Sequence, residues 1–176
     1  MFLLKVLGVV MIIGASVGIS MYYTRILKKR VEAMKIMRKN MLLLKGEIRY
    51  SQSALNEAFI HIAEKNKGCY KKFFEHVSHE MEEFQGETFY EIWKRQLGED
   101  LSEAKSGLNK EDIRQLLVLG ETLGFLDKEM QLNTLDLYLE TVEGEIQHLF
   151  KDMPEKIRLY QVFGVTGGIF LSILML

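Results

Sequence analysis

Apolar and polar positions divide the chain into two uncharged ends and a middle with a helical period. The first uncharged run covers residues 6–23, and the second covers residues 159–176. Each run approaches the length of about 20 apolar residues with which a helix crosses the hydrocarbon core of a membrane. We therefore predict one transmembrane helix at each terminus, in residues 1–24 and 159–176.

Each predicted span has an alternative: a cleaved signal peptide for the first run, and a buried helix of a soluble domain for the second. Lys5 is the only charged side chain before the first run, whereas a strong basic cluster follows the run. This order favours a membrane span over a signal peptide. Each run also carries two glycines four residues apart, which lets helices approach closely in a membrane but is common by chance in apolar segments. These candidate packing residues are Gly14 with Gly18, and Gly164 with Gly168.

Basic residues flank both predicted spans on the side of the middle region. Seven of them lie in residues 25–39, after the first span, and three lie in residues 151–158, before the second. Because Lys and Arg concentrate in cytoplasmic flanks, we predict that both termini lie outside and that residues 25–158 lie in the cytoplasm. The first turns after residue 24 are expected to lie against anionic lipid head groups.

Between the two ends, apolar residues recur at three- and four-residue steps, the spacing of a helix with one buried face. A single proline in 176 residues also favours helices. The pattern predicts an all-α fold, an antiparallel bundle of about six helices flanked by the two transmembrane helices. The predicted bundle helices cover residues 24–50, 53–65, 69–85, 88–97, 109–123 and 127–153.

Polar residues mark the predicted helix ends. Ser53, Thr88 and Asn109 are each expected to cap the helix that follows. Thr88 and Glu91 have the spacing of a capping box, in which each side chain bonds the backbone N–H of the other residue. Residues 98–108 are predicted to be a polar linker, and Gly86 is expected to end the third helix of the bundle.

The first and last bundle helices differ in charge. Residues 25–49 hold nine basic and two acidic side chains, whereas residues 121–155 hold nine acidic and two basic ones. We therefore predict that the two helices pack side by side. Asp152 and Glu155, with Pro154 in the first turn, indicate the start of the helix that enters the membrane. The sequence leaves open whether this helix continues the last bundle helix.

Residues 119–127 predict a tight corner between the last two bundle helices. Gly124 falls where the apolar pattern stops, which suits a glycine with positive φ, and Asp127 offers an acceptor to the first N–H groups of the next helix. Gly120 lies on the apolar face, where glycine costs about 1 kcal/mol relative to alanine. We expect another backbone to pack closely against it, the alternative being a tolerated glycine. The local helix rules leave the role of Glu121 open.

The sequence contains no phosphate-binding loop, no GxGxxG fingerprint and no GxSxG motif. We therefore predict neither enzyme activity nor a cofactor. The alternative is a small membrane-bound, metal-dependent enzyme or regulator that uses His76 and His79. These histidines lie three residues apart on a predicted helix, with Glu75, Glu80 and Glu83 nearby, and this spacing suits a metal ion. A solvated charged face explains the same residues.

The net charge of −1 gives no reason to expect nucleic-acid binding. The single cysteine, Cys69, excludes an internal disulfide, and it has no basic neighbour closer than Lys67 and Lys71 to activate it. Two acidic clusters, residues 80–87 and 99–103, have two explanations. They bind a basic partner, or they keep the domain soluble.

Several short segments, taken together and in order, resemble those of one known family. They are residues 44–50 (LKGEIRY), 55–58 (LNEA), 73–77 (FFEHV), 92–93 (IW), 119–124 (LGETLG) with Asp127 and Gln131, and the glycine-rich apolar tail. The family is that of stage III sporulation protein AB of endospore-forming bacteria. The resemblance covers nearly the whole chain and includes a predicted span at each end.

That family in turn resembles the cytoplasmic helical domain of the platform protein in type II secretion and type IV pilus systems. The corner sequence GETLG (residues 120–124) is similar to the GE-[ST]-x-G turn of that domain. The resemblance implies a non-catalytic platform in the outer forespore membrane, with its bundle in the mother-cell cytoplasm. It implies a secretion-type ATPase and other sporulation channel proteins as partners, with Gly120, Glu121, Gly124 and Asp127 as candidate partner-binding residues. A homo-oligomeric pore formed by the glycine-rich spans is a third hypothesis.

Overall fold

The computed structural model describes residues 2–50, 54–83, 86–124 and 127–175. The regular secondary structure of these residues is entirely helical, which confirms the predicted all-α class. The helices, in chain order, are α1 (Phe2–Tyr50), α2 (Leu55–Glu64), α3 (Gly68–Glu83), α4 (Phe89–Asp100), α5 (Glu103–Ser106), α6 (Lys110–Leu123) and α7 (Lys128–Met175).

Internal contacts divide the chain into two units. One unit combines the residues up to Lys29 with those from Gln147 onward, which are the beginning of α1 and the end of α7. The other unit, residues 30–146, is the helical bundle and contains α2 to α6 in full. The predicted limits of a cytoplasmic bundle, residues 25–158, stay a prediction.

Aromatic rings fill the middle of the bundle. Phe59, Phe73, Phe74 and Trp93 have no exposed surface, and Phe89 lies beside them. The centroids of neighbouring rings are 4.9–6.0 Å apart. Burying a side chain of this size contributes about 1.5–3 kcal/mol. The rings belong to α2, α3 and α4, so their burial holds these three helices together.

Ion pairs join α1 to α7 within the bundle. Basic residues of α1 meet acidic residues of α7 over several turns, which confirms the predicted side-by-side packing of the two helices. The pairs are Arg30–Glu145 at 3.0 Å, Arg38–Glu143 at 2.7 Å, and Lys45–Asp136.

Arg30 also reaches the start of α6. Its Nε and Nη2 atoms donate to Oδ2 and Oδ1 of Asp112 at 3.0 and 2.9 Å, and the bond to Asp112 raises the pKa of the guanidinium. Asp112 in turn accepts from the backbone N–H of Asn109 at 2.9 Å, while Oδ1 of Asn109 accepts from the N–H of Asp112 at 2.8 Å. The predicted Asn109 cap is confirmed, and the Thr88–Glu91 capping box is confirmed as well.

Two predicted boundaries around α2 and α3 have different outcomes. Gly86 has a φ of 82° and follows α3, as expected for a glycine that ends a helix. Ser53, the predicted cap of α2, lies outside the described residues. The residue before α2 is Ala54, and its side chain makes no capping hydrogen bond.

The polar linker predicted for residues 98–108 is wrong. α4 continues to Asp100, and the short helix α5 follows at Glu103–Ser106. The reason is burial, since Leu101 and Leu108 are only 0% and 3% exposed and anchor the segment to the core. Most residues of this stretch are polar, so the sequence pattern did not single out the two buried leucines.

The helix start predicted at Asp152 is wrong, and the open question of continuity has an answer, because α7 runs through Pro154 to Met175. Proline removes one backbone donor and crowds the preceding turn. The neighbouring residues, such as Lys151 and Glu155, are good helix formers, and they keep the helix continuous on both sides. α1 is likewise unbroken from the first predicted span into the first bundle helix.

Among the described residues, no helix has a stretch that is both long and apolar enough to span a membrane. A Cβ atom built on Gly14 or Gly18 meets no other described element within 4 Å. The surroundings of Gly164 and Gly168 lie outside what the structure describes. The transmembrane role of residues 1–24 and 159–176 therefore stays a prediction.

Candidate partner-binding corner

α6 and α7 meet at the helix corner, residues 119–127, and hydrogen bonds hold both sides of it. Oδ1 of Asp127 accepts from the backbone N–H of Met130 at 2.9 Å, which confirms Asp127 as the cap of α7. Nε2 of Gln131 donates to the carbonyl oxygen of Leu123 at 2.8 Å. This bond satisfies a carbonyl in the last turn of α6, where no helical partner follows.

Gly120 is buried because Trp93 of α4 occupies the space of its missing side chain. A Cβ atom built on Gly120 would lie 2.1 Å from Cδ1 of Trp93, far inside contact distance. The indole Nε1 donates to the carbonyl oxygen of Leu116 at 2.8 Å. In an α-helix the same carbonyl accepts the N–H of residue 120. The predicted close approach is confirmed, but the neighbour is an aromatic ring and not a backbone.

Gly124 also packs closely against an aromatic ring, that of Phe89. A Cβ atom built on Gly124 would lie 3.1 Å from Cδ1 of the Phe89 ring, which is tighter than an ordinary contact. Its φ of −72° and ψ of −23° are right-handed, so the prediction of a positive φ is wrong. The close ring, and not a left-handed turn, is the constraint that the structure places on this position.

The two glycines and the two rings form a matched set. Gly120 lies four residues before Gly124, the residue that follows α6, and Phe89 lies four residues before Trp93 on α4. Successive turns of one helix therefore meet successive turns of the other. The sequence placed both rings on the apolar face of their helix but did not connect them with the glycines. The equal four-residue spacing of the glycines and of the rings was the sequence signal that could have indicated this contact. This contact holds α6, and hence the corner, against α4.

Glu121 lies between the glycines in sequence, and its side chain is exposed. Asp127 is exposed as well, so the corner presents two carboxylates to solvent. Glu121 takes no part in the buried contact between α4 and α6. Its charge is therefore available to a partner, and a substitution there leaves the packing of Gly120 and Gly124 in place.

Some carboxylates of both acidic clusters bind other side chains of the bundle. In the first, Nη2 of Arg95 lies 2.7 Å from Oε2 of Glu80 and 2.7 Å from Oε2 of Glu87, and the hydrogen bond from Arg95 lowers the pKa of Glu87. In the second, Asp100 is buried and lies 2.7 Å from Nδ1 of His76. Each cluster therefore presents fewer free carboxylates to solvent than its sequence indicates, which weakens the case for a basic partner there.

The structure does not bring His76 and His79 together at one site. His76 pairs with Asp100, whereas Nε2 of His79 lies 3.7 Å from Oε1 of Glu83, one turn further along α3. In the described part of the chain, no group of three or more His, Cys, Asp and Glu side chains is arranged to hold a metal ion. The geometry therefore gives no support to the metal-dependent alternative.

The family model of stage III sporulation protein AB matches residues 5–176. The chain belongs to this family. Membership confirms the resemblance of the sequence segments, and it assigns the chain to the sporulation proteins.

A solved structure, stage III sporulation protein AB (SpoIIIAB), is similar to the chain with a TM-score of 0.64 and 22% sequence identity. The match covers 71% of this chain and 96% of the solved one. At this identity the likeness shows a shared fold. No curated protein matches the chain.

Proposed function

We propose that the chain is a non-catalytic platform subunit of the sporulation channel that links mother cell and forespore. In this proposal its helical bundle is presented to a secretion-type ATPase. Membership of the stage III sporulation protein AB family supports the sporulation setting. The similarity of the GETLG corner to the turn of secretion platform domains supports the platform role.

The observation that carries the proposal is an exposed carboxylate at the end of α6, where two aromatic rings pack against the helix. Trp93 and Phe89 fill the space beside Gly120 and Gly124, while Glu121 remains accessible. A charge on a rigid element loses little conformational freedom when a partner binds it. The corner therefore suits a docking role, in which Glu121 pairs with a basic group of the ATPase.

Membrane anchoring is the second part of the proposal. Residues 1–24 and 159–176 serve as two spans in the outer forespore membrane, and the bundle faces the mother-cell cytoplasm. The uncharged runs and the basic residues beside them support this arrangement. Arg25, Lys28 and Lys29 are placed to meet anionic lipid heads, and other channel proteins are neighbours in the same membrane.

Capture of the ATPase by the full-length chain carrying Glu121→Arg tests the docking role. Reversing a charge that meets a basic group turns attraction into repulsion, so we expect binding about tenfold weaker or more, a loss of about 1.4 kcal/mol. The circular dichroism spectrum is expected to stay that of the parent.

The matched control is Glu64→Arg, which makes the same change at the exposed last residue of α2. This variant is expected to capture the ATPase as well as the parent does. Equal capture by the parent and both variants would contradict the docking role of Glu121.

A further inference from the structure

An apolar groove on the outside of the bundle is not filled by any part of the chain that the structure describes. It has a volume of about 400 Å³ and lies between α6 and α7. Val118 of α6 and Leu137 of α7 line it and are 56% and 67% exposed. Arg114 is the one charged residue in its described lining. A groove of this kind between two helices suits the apolar ridge of a third helix.

A second uncharged stripe runs along α7, apart from the stripe that faces the core. Met130, Thr134, Leu137, Thr141 and Gly144 follow one another at steps of four, three, four and three residues. This is the spacing of a coiled-coil seam. Four of the five residues are exposed, and Thr134 is half-buried. Depletion of charge in the centre of a surface patch is the compositional mark of a protein interface.

Gly144 is the residue of this stripe that the bundle does not explain. A glycine inside a helix costs about 1 kcal/mol relative to alanine. A Cβ atom built on Gly144 meets nothing within 4 Å among the described residues, in contrast with Gly120. Glycine at an exposed position lets another backbone approach closely. The position therefore leaves room for the backbone of a neighbouring helix.

We propose that a second copy of this chain docks here, with the two α7 stripes parallel and each Leu137 at the groove of the other copy. The parallel direction rests on the proposed function, because two copies anchored in one membrane direct the same end of α7 towards it. The result is a two-fold symmetric pair in which each copy offers the same surface.

Charge complementarity selects a second copy as the occupant. Glu140 is exposed and flanks the stripe on the side away from Tyr138, a residue of the groove. In a parallel two-fold pair this side of α7 faces α6 of the other copy. Glu140 then lies near the level of Arg114 and Thr141 of that copy, which both line its groove. Arg114 is 71% exposed at the side chain and pairs with Glu111 in its own chain. The pair thus gains two symmetric Arg114–Glu140 contacts.

Cysteine cross-linking in membranes tests the contact. The full-length chain with Cys69→Ser and Leu137→Cys is placed in lipid vesicles without other proteins and oxidised. We expect a covalent dimer formed several-fold more efficiently than by the control Cys69→Ser with Ile60→Cys. Ile60 is also exposed but lies on α2. Equal cross-linking of the two variants would overturn the proposal.

Charge exchange then tests the predicted pairing. Arg114→Glu and Glu140→Arg, each in the Leu137→Cys chain, are expected to lower the dimer yield about fivefold, as for loss of two exposed ion pairs. The double variant is expected to restore the yield, because the two charges are exchanged. A double variant as weak as either single one would refute the pairing.

The direction of the helices is read from the ends of the stripe. Met130→Cys is expected to cross-link with itself in a parallel pair, whereas preferential linkage between Met130→Cys and Gly144→Cys chains would overturn the parallel arrangement. These vesicles contain no ATPase. A dimer that forms in these vesicles supports this inference. Unchanged ATPase capture by Glu121→Arg contradicts the proposed docking function, so the two proposals can fail independently.

Discussion

The missing side chain of Gly120 gives the Trp93 ring access to a helix carbonyl. The carbonyl of Leu116 has two lone pairs, so it accepts the indole N–H in addition to a helical N–H. A buried donor without a partner costs about 1–3 kcal/mol. Glycine at position 120 therefore makes room for a large ring and also lets that ring satisfy its polar group.

Gly120→Ala is expected to destabilise the fold by about 1–3 kcal/mol, because the added methyl group overpacks the contact with Trp93. Thermal unfolding of the full-length chain in detergent, followed by circular dichroism, measures the effect. Gly98→Ala is the matched control on α4, since a Cβ atom there meets nothing within 4 Å. Equal melting temperatures for the two variants would mean that Trp93 does not depend on this glycine.

Tyr70 is a single residue whose contribution to folding stability depends on pH. Its side chain is buried, and its hydroxyl donates to the carbonyl of Ser106 at 3.2 Å, with the carbonyl of Ala33 as a second acceptor at 3.4 Å. Burial raises the pKa of this hydroxyl above its ordinary value of 10.0. The folded state therefore favours the protonated form. This contribution is complete below pH 10 and is lost as the pH rises through the folded pKa.

Tyr70→Phe is expected to lower stability at neutral pH by about 1 kcal/mol, through the lost hydrogen bonding. Above pH 10 its stability is expected to fall less steeply with pH than that of the parent, because one buried phenol no longer titrates. Melting temperatures between pH 8 and pH 11 measure the slope. Tyr50→Phe, at an 83% exposed position, is the control and is expected to keep the parental slope.

At the scale of helices, Arg30 connects three elements. It lies on α1, binds Asp112 at the start of α6 through two hydrogen bonds, and binds Glu145 of α7. Asp112 is 5% exposed and also caps its own helix through Asn109. The carboxylate of Asp112 is thus buried with a cation and a backbone donor as its partners.

Arg30→Ala is expected to cost about 3–5 kcal/mol, because it leaves the buried Asp112 without its cation. Lys71→Ala removes an exposed pair with Glu75 one turn along α3 and serves as the control. We expect it to cost only about 0.3–0.5 kcal/mol. Denaturant unfolding of both variants compares the two costs, and similar values would show that Asp112 does not depend on Arg30.

The helix ends that the sequence predicted correctly depend on neighbours in the chain. Asn109, Asp127 and the Thr88 capping box bond residues within three positions, so their patterns are visible in sequence. The partner of Gly120 was missed because Trp93 is 27 positions away and only packing brings the two together. Pro154 was taken as a helix start because a local rule outweighed the helix-forming residues on both sides.

At the scale of the whole molecule, the bundle and the terminal segments have separate support. The bundle in residues 30–146 has its own aromatic core and interhelical ion pairs. The role of residues 1–24 and 159–176 is inferred from the uncharged runs within them, residues 6–23 and 159–176, and from the basic residues beside these runs. The membrane arrangement is therefore the part of the proposed function that needs a direct measurement.

Labelling of a single cysteine tests this arrangement. In a Cys69→Ser chain, Tyr50→Cys is expected to react with a membrane-impermeant maleimide only when the cytoplasmic side is opened, because a two-span topology places residues 25–158 inside. Phe2→Cys is the opposite control and is expected to react in intact, non-sporulating cells that produce the chain, because the predicted outer side of the cell membrane then faces the medium. Labelling of Tyr50→Cys in intact cells would contradict the predicted orientation.

Trp93 is the only tryptophan of the sequence, and it lies at the contact between α4 and α6. The intrinsic fluorescence of the indole therefore comes from this one place. A buried indole emits at shorter wavelength than a hydrated one, so separation of α6 from α4 shifts the emission to the red. Mixing the unlabelled protein with a candidate partner then shows whether binding at the corner exposes the Trp93 ring to water or leaves it buried between α4 and α6.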